Sequence, residues 1–362
     1  MKIRPDRKIL ILLVLVLAMF QLTACGSTAP ATSVPGGNVN GSGEKEYFTL
    51  RVNTPTNLTE YNIADQMGFF EEEGIKLKYV GALGKGVTAF QLLEQGEIDA
   101  VMGSHPPQVA QARLAGIKAR IVAPAMIDDS KDFHVSYLVR ADSPIQSLSE
   151  AVGKKVQISS YLACTNGYVE YYLIQQGLDP KSVEFVVMSD SDGLQALDQG
   201  LVDIVTAHPP FSGIAKGNGQ VREIYNTWEM FHNPGAGLAS RCFLDSFIDE
   251  HPDVVQGAVN ALYRARVWIN AHPEEALQVA ADFLNLPPDN FSAWVFDHRK
   301  NIDQADIELW FSISEIIGFW QPGEIQPEEI YTNQFVPRDI PSGDATRAWA
   351  DYKDAWLASQ GR

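Results

Sequence analysis

Short apolar runs alternate with helix-length amphipathic segments along most of the chain. Residues 50–54 and 155–159 are strand-like. Each is followed by a loop with adjacent Thr and Asn, a helix-like segment ending at a glycine, and a second apolar run at 77–80 or 183–188. Strands separated by helices are typical of βαβ units with right-handed crossovers. The pattern therefore predicts an α/β fold in which helices cover both faces of the sheets.

The order of these elements occurs twice. Residues 91–107 (QLLEQGEIDAVMGSHPP) recur, one residue shorter, as residues 195–210 (QALDQGLVDIVTAHPP). The period is far longer than the roughly 20–50 residues of stacked repeats, so a solenoid is excluded. Two copies of one unit predict two similar lobes, and a cleft between lobes is a common place for small-ligand binding.

The chain is expected to cross between the lobes twice, at the strand-like run 133–140 and again at 235–243. Lobe I is placed at 46–138 plus 238–340, and lobe II at 139–237. The prediction is thus two doubly wound α/β lobes joined by a two-stranded hinge, which lets domains close around a ligand. The helices predicted after the second crossing are expected to pack on lobe I.

The N-terminus has the order of features of a secretory signal. Residues 1–24 begin with basic side chains and contain an apolar run at 9–20, which is short against the about 20 residues that span a bilayer. Leu22-Thr23-Ala24-Cys25 resembles the bacterial lipobox, which implies that Cys25 is lipidated. An uncleaved membrane anchor is the alternative. Either way the remaining chain is expected outside the cytoplasm, held to the cell membrane.

Two flanking segments are set apart from the lobes. Residues 25–45 are rich in Ser, Thr, Pro, Gly and Asn, and are expected to form a disordered tether because they cannot bury a core. Residues 341–362 are predicted to form a C-terminal tail helix.

Charge and cysteine content narrow the function classes. The formal net charge is −17, which excludes nucleic acid as a partner because its binders need basic patches. Cys164 and Cys242 could be free or paired with each other. No Cys-x-x-Cys or His-Glu-x-x-His occurs and the seven histidines do not cluster along the chain, so neither a metal site nor a cofactor is expected. No nucleophile–base constellation is seen, and catalytic residues are not predicted.

The candidate ligand site lies where loops follow strands and open helices, because ligands of doubly wound lobes bind beyond the carboxyl ends of the strands. Helix N-termini there present unpaired N–H groups. The candidate ligand-binding residues are Thr56, Asn57, Ser104, His105, Cys164, Thr165, Asn166, His208 and Trp228. The Thr and Asn residues could instead only cap their own helices. His105 and His208 occupy equivalent places in the repeat, so they could have a shared structural role instead of binding a ligand.

Several segments resemble solute-binding proteins of ABC importers, in the group for nitrate, taurine and alkanesulfonates. The resemblance covers about residues 47–335 and is carried by residues 64–75, 92–101, 152–156, 251–255 and 268–276. It implies a type II periplasmic-binding-protein fold and a lipid-anchored monomer. The implied partners are a small organic or anionic solute, an ABC permease and an ATPase subunit.

The sequence leaves three alternative functions open. The same superfamily includes pyrimidine-synthesising enzymes, but their cysteine-rich run is missing here and the export signal favours binding over catalysis. A binder of a thiamine pyrimidine precursor or another aromatic ligand is also open, because the cleft loops contain no arginine for a bidentate anion clamp. A sensor that reports the ligand to a membrane kinase is the third.

Overall fold

A computed structural model describes residues 46–81, 87–209, 211–288, 291 and 295–338. The expected signal peptide with Cys25, the tether at 25–45 and the tail at 341–362 lie outside the described residues. So does Pro210 of the second His-Pro-Pro.

The strands and helices follow the predicted alternation through the first three quarters of the chain. The strands are β1 (Phe48–Val52), β2 (Ile75–Tyr79), β3 (Val101–Ser104), β4 (Ala119–Ile127), β5 (Ser136–Arg140), β6 (Lys155–Ile158), β7 (Glu184–Val187), β8 (Ile204–Ala207), β9 (Val221–Asn226), β10 (Ala239–Leu244) and β11 (Val295–Phe296). The helices are α1 (Glu60–Gln66), α2 (Phe69–Glu72), α3 (Val87–Glu94), α4 (Pro106–Leu114), α5 (Cys164–Gln175), α6 (Asp190–Asp198), α7 (Phe211–Gly217), α8 (Thr227–Phe231), α9 (Asp245–Glu250), α10 (Pro252–Ala271), α11 (Pro273–Leu284) and α12 (Gln304–Ile317).

The first lobe contains two sheets. Strands β1 and β2 pair in parallel, and an isolated bridge joins Val52 of β1 to Ala100 just before β3. The second sheet has the order β11-β4-β10-β3, with β10 antiparallel to both β3 and β4. The late strand β10 therefore returns to the centre of the first lobe.

The second lobe is a five-stranded sheet of order β7-β6-β8-β5-β9. Strand β6 is parallel to β7 and β8, whereas β5 is antiparallel to β8 and β9. Because β5 begins at Ser136, residues 136–138 belong to this sheet. The boundary placed at residue 139 from the sequence is therefore too late, since the apolar pattern cannot tell which sheet a crossing strand joins.

Two chain segments cross between the lobes and are bonded to each other at Asp128. The backbone N–H of Asp128 donates to the Pro234 carbonyl at 2.9 Å, and its carboxylate accepts from the Thr227 hydroxyl. The same carboxylate accepts from the His134 backbone N–H at 2.7 Å. Thr227 and Pro234 lie on the second crossing, so one buried aspartate ties both connections together.

Helix α12 packs on both lobes, which corrects the expectation that the C-terminal helices rest on lobe I alone. Ile307 and Phe311 join the core around α4 and β4 of the first lobe. Trp310 and Ile313 join the core around β5 and α5 of the second. An α-helix brings residues three or four apart to one face and neighbours to another, so one helix can supply two cores. Within the part of the chain described, no helix combines the length and apolar character needed to cross a bilayer.

Candidate functional site

A cavity of about 260 Å³ lies between the two lobes. Its walls come from the loop after β1, the end of β3, the loop before α5, the residues after β8 and strand β10. Six of the sequence-predicted site residues line it: Thr56, Asn57, Ser104, His105, Cys164 and His208. The edge predicted from strand order is thus where the structure places most of the candidates.

Three predicted ligand-binding residues are not among the residues that line this cavity. Thr165 is buried and its hydroxyl donates to the Ser160 carbonyl at 3.0 Å. Asn166 accepts from the Ala163 N–H and so caps α5, which is the capping alternative. Trp228 lies on α8 next to the ring of His232, with ring centroids 6.1 Å apart. A role of these three residues in ligand binding therefore stays a prediction that the lining of this cavity does not support.

Asn57 makes hydrogen bonds with its neighbours along the chain and is also a candidate donor to a ligand. Its side-chain oxygen accepts from the Leu58 N–H at 2.9 Å, and its backbone carbonyl accepts from Asn62 at 3.0 Å. Its side-chain nitrogen is buried and has no partner among the described residues. A buried donor without a partner costs free energy, and Asn57 lines the cavity, so its nitrogen is a candidate donor to a ligand.

The Ser104 hydroxyl already has polar partners within the protein. Its hydroxyl lies 3.0 Å from the Ser240 hydroxyl and 3.1 Å from the sulfur of Cys242. Cys242 is therefore a buried free thiol held in a small polar contact, and it is not paired with Cys164. The question of a disulfide that the sequence left open is answered: both cysteines are free.

Three imidazoles surround the Cys164 thiol. The sulfur lies 3.3 Å from Nε2 of His208 and 3.7 Å from Nε2 of His105, and the Nε2 atoms of His105 and His134 are 3.1 Å apart. Cys164, His134 and His208 are buried, whereas His105 is partly buried. Histidines spread over more than a hundred residues therefore meet at one sulfur, which sequence spacing did not indicate.

The Cys164 thiol is placed by the first turn of α5. Cys164 is the first residue of that helix, and extended backbone at Ala163 turns the chain into it. A helix N-terminus carries a partial positive charge that favours a thiolate. Burial raises the pKa of Cys164, but the neighbouring His134, His105 and His208 lower it further, and the net pKa lies well below its usual value.

His208 is oriented by a carboxylate. Its Nδ1 lies 2.8 Å from Oδ2 of Asp190, the first residue of α6, and its backbone N–H donates to the same oxygen at 3.1 Å. Burial lowers the pKa of His208, but Asp190 and Cys164 outweigh that effect and raise the pKa to about 9. For His134, burial dominates and lowers the pKa to about 4.

An arginine lines the cavity although the cleft loops contain none. Arg241 comes from β10, and its guanidinium donates to both carboxylate oxygens of Glu60, at 2.8 and 2.7 Å. Both side chains are buried, so Glu60 neutralises the charge that an anionic ligand would otherwise use. The structure thus adds an arginine to the site without adding a free anion clamp.

Sequence reasoning missed His134, Asp190, Arg241 and Trp310. The sequence contains a pattern that could have identified Asp190, because this residue begins a helix two residues after a predicted strand. His134 and Arg241 lie on the crossing segment and the return strand, which were interpreted as connections. Trp310 stacks on the ring of His105, with centroids 5.1 Å apart, and its indole N–H donates to the Gly235 carbonyl. Only the packing of α12 across both lobes brings it there.

Two α/β lobes with a cleft and two crossing segments make up the type II periplasmic-binding-protein fold. A family model described as "NMT1/THI5 like" matches residues 55–276, which is more than half of the chain. The chain belongs to the NMT1/THI5-like family. No curated protein matches the sequence.

Solved structures share this fold at low sequence identity. The periplasmic aliphatic sulphonate-binding protein SsuA from Escherichia coli is 17% identical, with a TM-score of 0.60, over 80% of this chain and 99% of that chain. The periplasmic nitrate-binding protein NrtA from Synechocystis PCC 6803 is 13% identical, with a TM-score of 0.65, over 87% and 98%. The desulfurization enzyme DSZB is 16% identical, with a TM-score of 0.55, over 78% and 96%. Binding proteins and an enzyme therefore use the same fold.

Proposed function

We propose that this chain is the lipid-anchored, extracytoplasmic solute-binding component of an ABC importer. The lobes would close on a small organic or anionic solute and present it to a permease driven by an ATPase subunit. The observation that carries the proposal is the inter-lobe cavity with the unpartnered, buried amide nitrogen of Asn57 at its wall. Fold neighbours whose names state sulphonate and nitrate binding support the same class of function.

The size and polarity of the cavity limit the range of solutes that could bind. About 260 Å³ is slightly below the roughly 300–1,000 Å³ of typical small-molecule pockets, so the solute should be small. Arg241 is neutralised by Glu60, and the described lining residues include no lysine. A taurine, sulfonate or nitrate-like anion would therefore be held by hydrogen-bond donors other than a free arginine or lysine. A thiamine pyrimidine precursor or another aromatic ligand stays an alternative.

A panel of solutes tests this function. Thermal unfolding and tryptophan fluorescence of the purified protein would be measured with alkanesulfonates, taurine, nitrate, carboxylates and pyrimidines. We expect one class to raise the unfolding midpoint in the wild type, and Asn57→Ala to reduce that rise because it removes the unpartnered donor. No shift with any of these solutes would contradict the proposal.

A cysteine-dependent enzyme is the second candidate, because one specific observation favours it. The Cys164 sulfur, Nε2 of His208 and the Asp190 carboxylate form a chain of contacts at 3.3 and 2.8 Å. This is the order of nucleophile, base and orienting group in thiol enzymes. The three residues lie on separate segments, so the sequence did not indicate this arrangement. Release of a product from any panel solute, lost in Cys164→Ser, would decide for this candidate.

A further inference from the structure

We propose that His105, His134 and Cys164 form a binding site for a borderline or soft first-row transition metal ion, Zn²⁺ or Cu⁺, that links the two lobes. The three side chains offer two ring nitrogens and a sulfur that lie within 4.8 Å of one another. The proposal goes beyond solute binding and does not depend on the identity of the solute.

The distances between the donor atoms are those of one coordination sphere. For a tetrahedral zinc ion with Zn–N of about 2.0–2.1 Å and Zn–S of about 2.3 Å, neighbouring ligands lie about 3.3 Å apart for two nitrogens and about 3.6 Å for nitrogen and sulfur. Here Nε2 of His105 lies 3.1 Å from Nε2 of His134 and 3.7 Å from the Cys164 sulfur. These two separations differ from the ideal values by only a few tenths of an ångström, and the third, between the His134 nitrogen and the sulfur, is below 4.8 Å.

Hydrogen bonding behind the ligands prepares one of the imidazoles for a metal. Nδ1 of His105 lies 2.8 Å from the Leu238 carbonyl oxygen, which can only accept, so Nδ1 carries the proton. In the neutral ring Nε2 then presents its lone pair towards His134 and the sulfur. A carbonyl or carboxylate behind a histidine is the usual support of a metal ligand. Stacking of Trp310 on the same ring restricts its rotation.

The donor types select the class of ion. A thiolate with two imidazoles suits Zn²⁺ and Cu⁺, whereas Mg²⁺ and Ca²⁺ prefer oxygen ligands. No carboxylate belongs to this trio. Three protein ligands are also the number found in zinc sites that keep an open position. The cavity adjoins that position, because all three residues line it.

The trio joins three different parts of the fold. His105 precedes α4 of the first lobe, His134 lies on the first crossing segment, and Cys164 opens α5 of the second lobe. A bound ion would therefore hold the lobes together. Because the ion would bind the folded state and not the unfolded state, it would raise the free energy of unfolding.

Cobalt titration tests the site directly. The mature chain, purified in detergent, stripped with a chelator and kept reduced, would be titrated with Co²⁺ and then with Zn²⁺. We expect a sulfur-to-cobalt charge-transfer band that saturates at one equivalent and is abolished when Zn²⁺ displaces the cobalt. Cys164→Ser should lose the band, and His134→Asn should weaken cobalt binding at least about tenfold, since even the loss of a supporting residue costs about 10–100-fold.

Cys242→Ser is the matched control, because Cys242 is a second buried free thiol outside the trio. It should keep the band at full intensity. Circular dichroism of each variant reports whether it folds, and the wild-type titration does not depend on any variant. The proposal is overturned by a wild type without a saturable band, or by an unchanged band in Cys164→Ser. The rate at which Cys164 is alkylated would also be measured with and without excess Zn²⁺. If Zn²⁺ does not slow alkylation, the thiol does not bind the ion and the proposal is likewise overturned.

Discussion

At the scale of single residues, the cleft combines buried charges that are paired with one buried donor that has no partner among the described residues. Glu60 with Arg241, and Asp190 with His208, are pairs that come from distant parts of the chain. Asn57 keeps one donor for the cavity. The sequence identified His105, Cys164 and His208 as candidates, but their meeting follows from distances that no local pattern encodes.

Glu60→Gln should destabilise the protein by about 3–5 kcal/mol, because it leaves the Arg241 charge buried without a counter-ion. Urea unfolding would measure the free energy of unfolding. Glu72→Gln is the control, since Glu72 pairs with Arg264 at an exposed site and should cost less than about 1 kcal/mol. Equal losses in both variants would contradict the assignment.

The His208 protonation equilibrium gives a pH prediction. Its pKa in the folded state, about 9, lies above the ordinary value of 6.5. Protonated His208 therefore contributes stability that is fully present below pH 6.5 and is lost as the pH rises through about 9. In Asp190→Asn the pKa should fall, and this part of the pH dependence should vanish. NMR titration of the metal-free protein checks it, and an unchanged His208 pKa would refute the role of Asp190.

At the scale of elements, helices and strand ends position the site, and the two crossing segments hold it. The sequence predicted the strands, the loops that open helices and the return strand. It assigned α12 to one lobe because helical periodicity shows a buried face but not the partner that covers it. It also treated the crossing segments as connections, although they supply His134 and Asp128.

Gly237→Ala should weaken the joint between the crossing segments. A Cβ at this position would lie 2.2 Å from Oδ1 and 2.5 Å from the backbone nitrogen of Asp128, so the two segments would have to separate. Crowding of this kind typically costs about 1–3 kcal/mol. Thermal and urea unfolding would show the loss, whereas wild-type stability would indicate that the segments separate at no cost.

The fluorescence of Trp310, which lies on α12, should report metal binding at the trio. Its indole stacks on His105, so a quenching ion such as Co²⁺ bound at the trio should reduce its fluorescence. Trp310→Phe should remove most of this response while keeping an aromatic ring against His105. Trp228→Phe is the control, because Trp228 lies beside His232 whereas Trp310 stacks on His105, and it should leave the response intact. Equal responses in both variants would place the ion elsewhere.

At the scale of the whole molecule, the fold joins two lobes around one cavity, and the N-terminal sequence is expected to tie them to a membrane. The family match and the fold neighbours agree with the class predicted from the repeat and the ordered segments. Lipidation remains a prediction that rests on Leu22 to Cys25.

Cys25→Ser should release the protein from the membrane or leave its signal uncleaved. Fractionation of cells that express the wild type and the variant, together with labelling by a radioactive fatty acid, would measure this. The wild type should carry the label in the membrane fraction, and Cys242→Ser should behave in the same way. Fatty-acid labelling that survives in Cys25→Ser would exclude this anchor.

The sequence by itself determined the class of fold, because duplication, strand–helix alternation and turn residues are local patterns that repeat along the chain. It also predicted the edge that lines the cavity between the lobes, since the carboxyl ends of strands follow from their order. Only the tertiary structure decided which side chains share that edge. His105, His134 and Cys164 belong to three separate segments, and a metal site or a thiol–imidazole pair depends on distances of a few ångströms that folding alone creates.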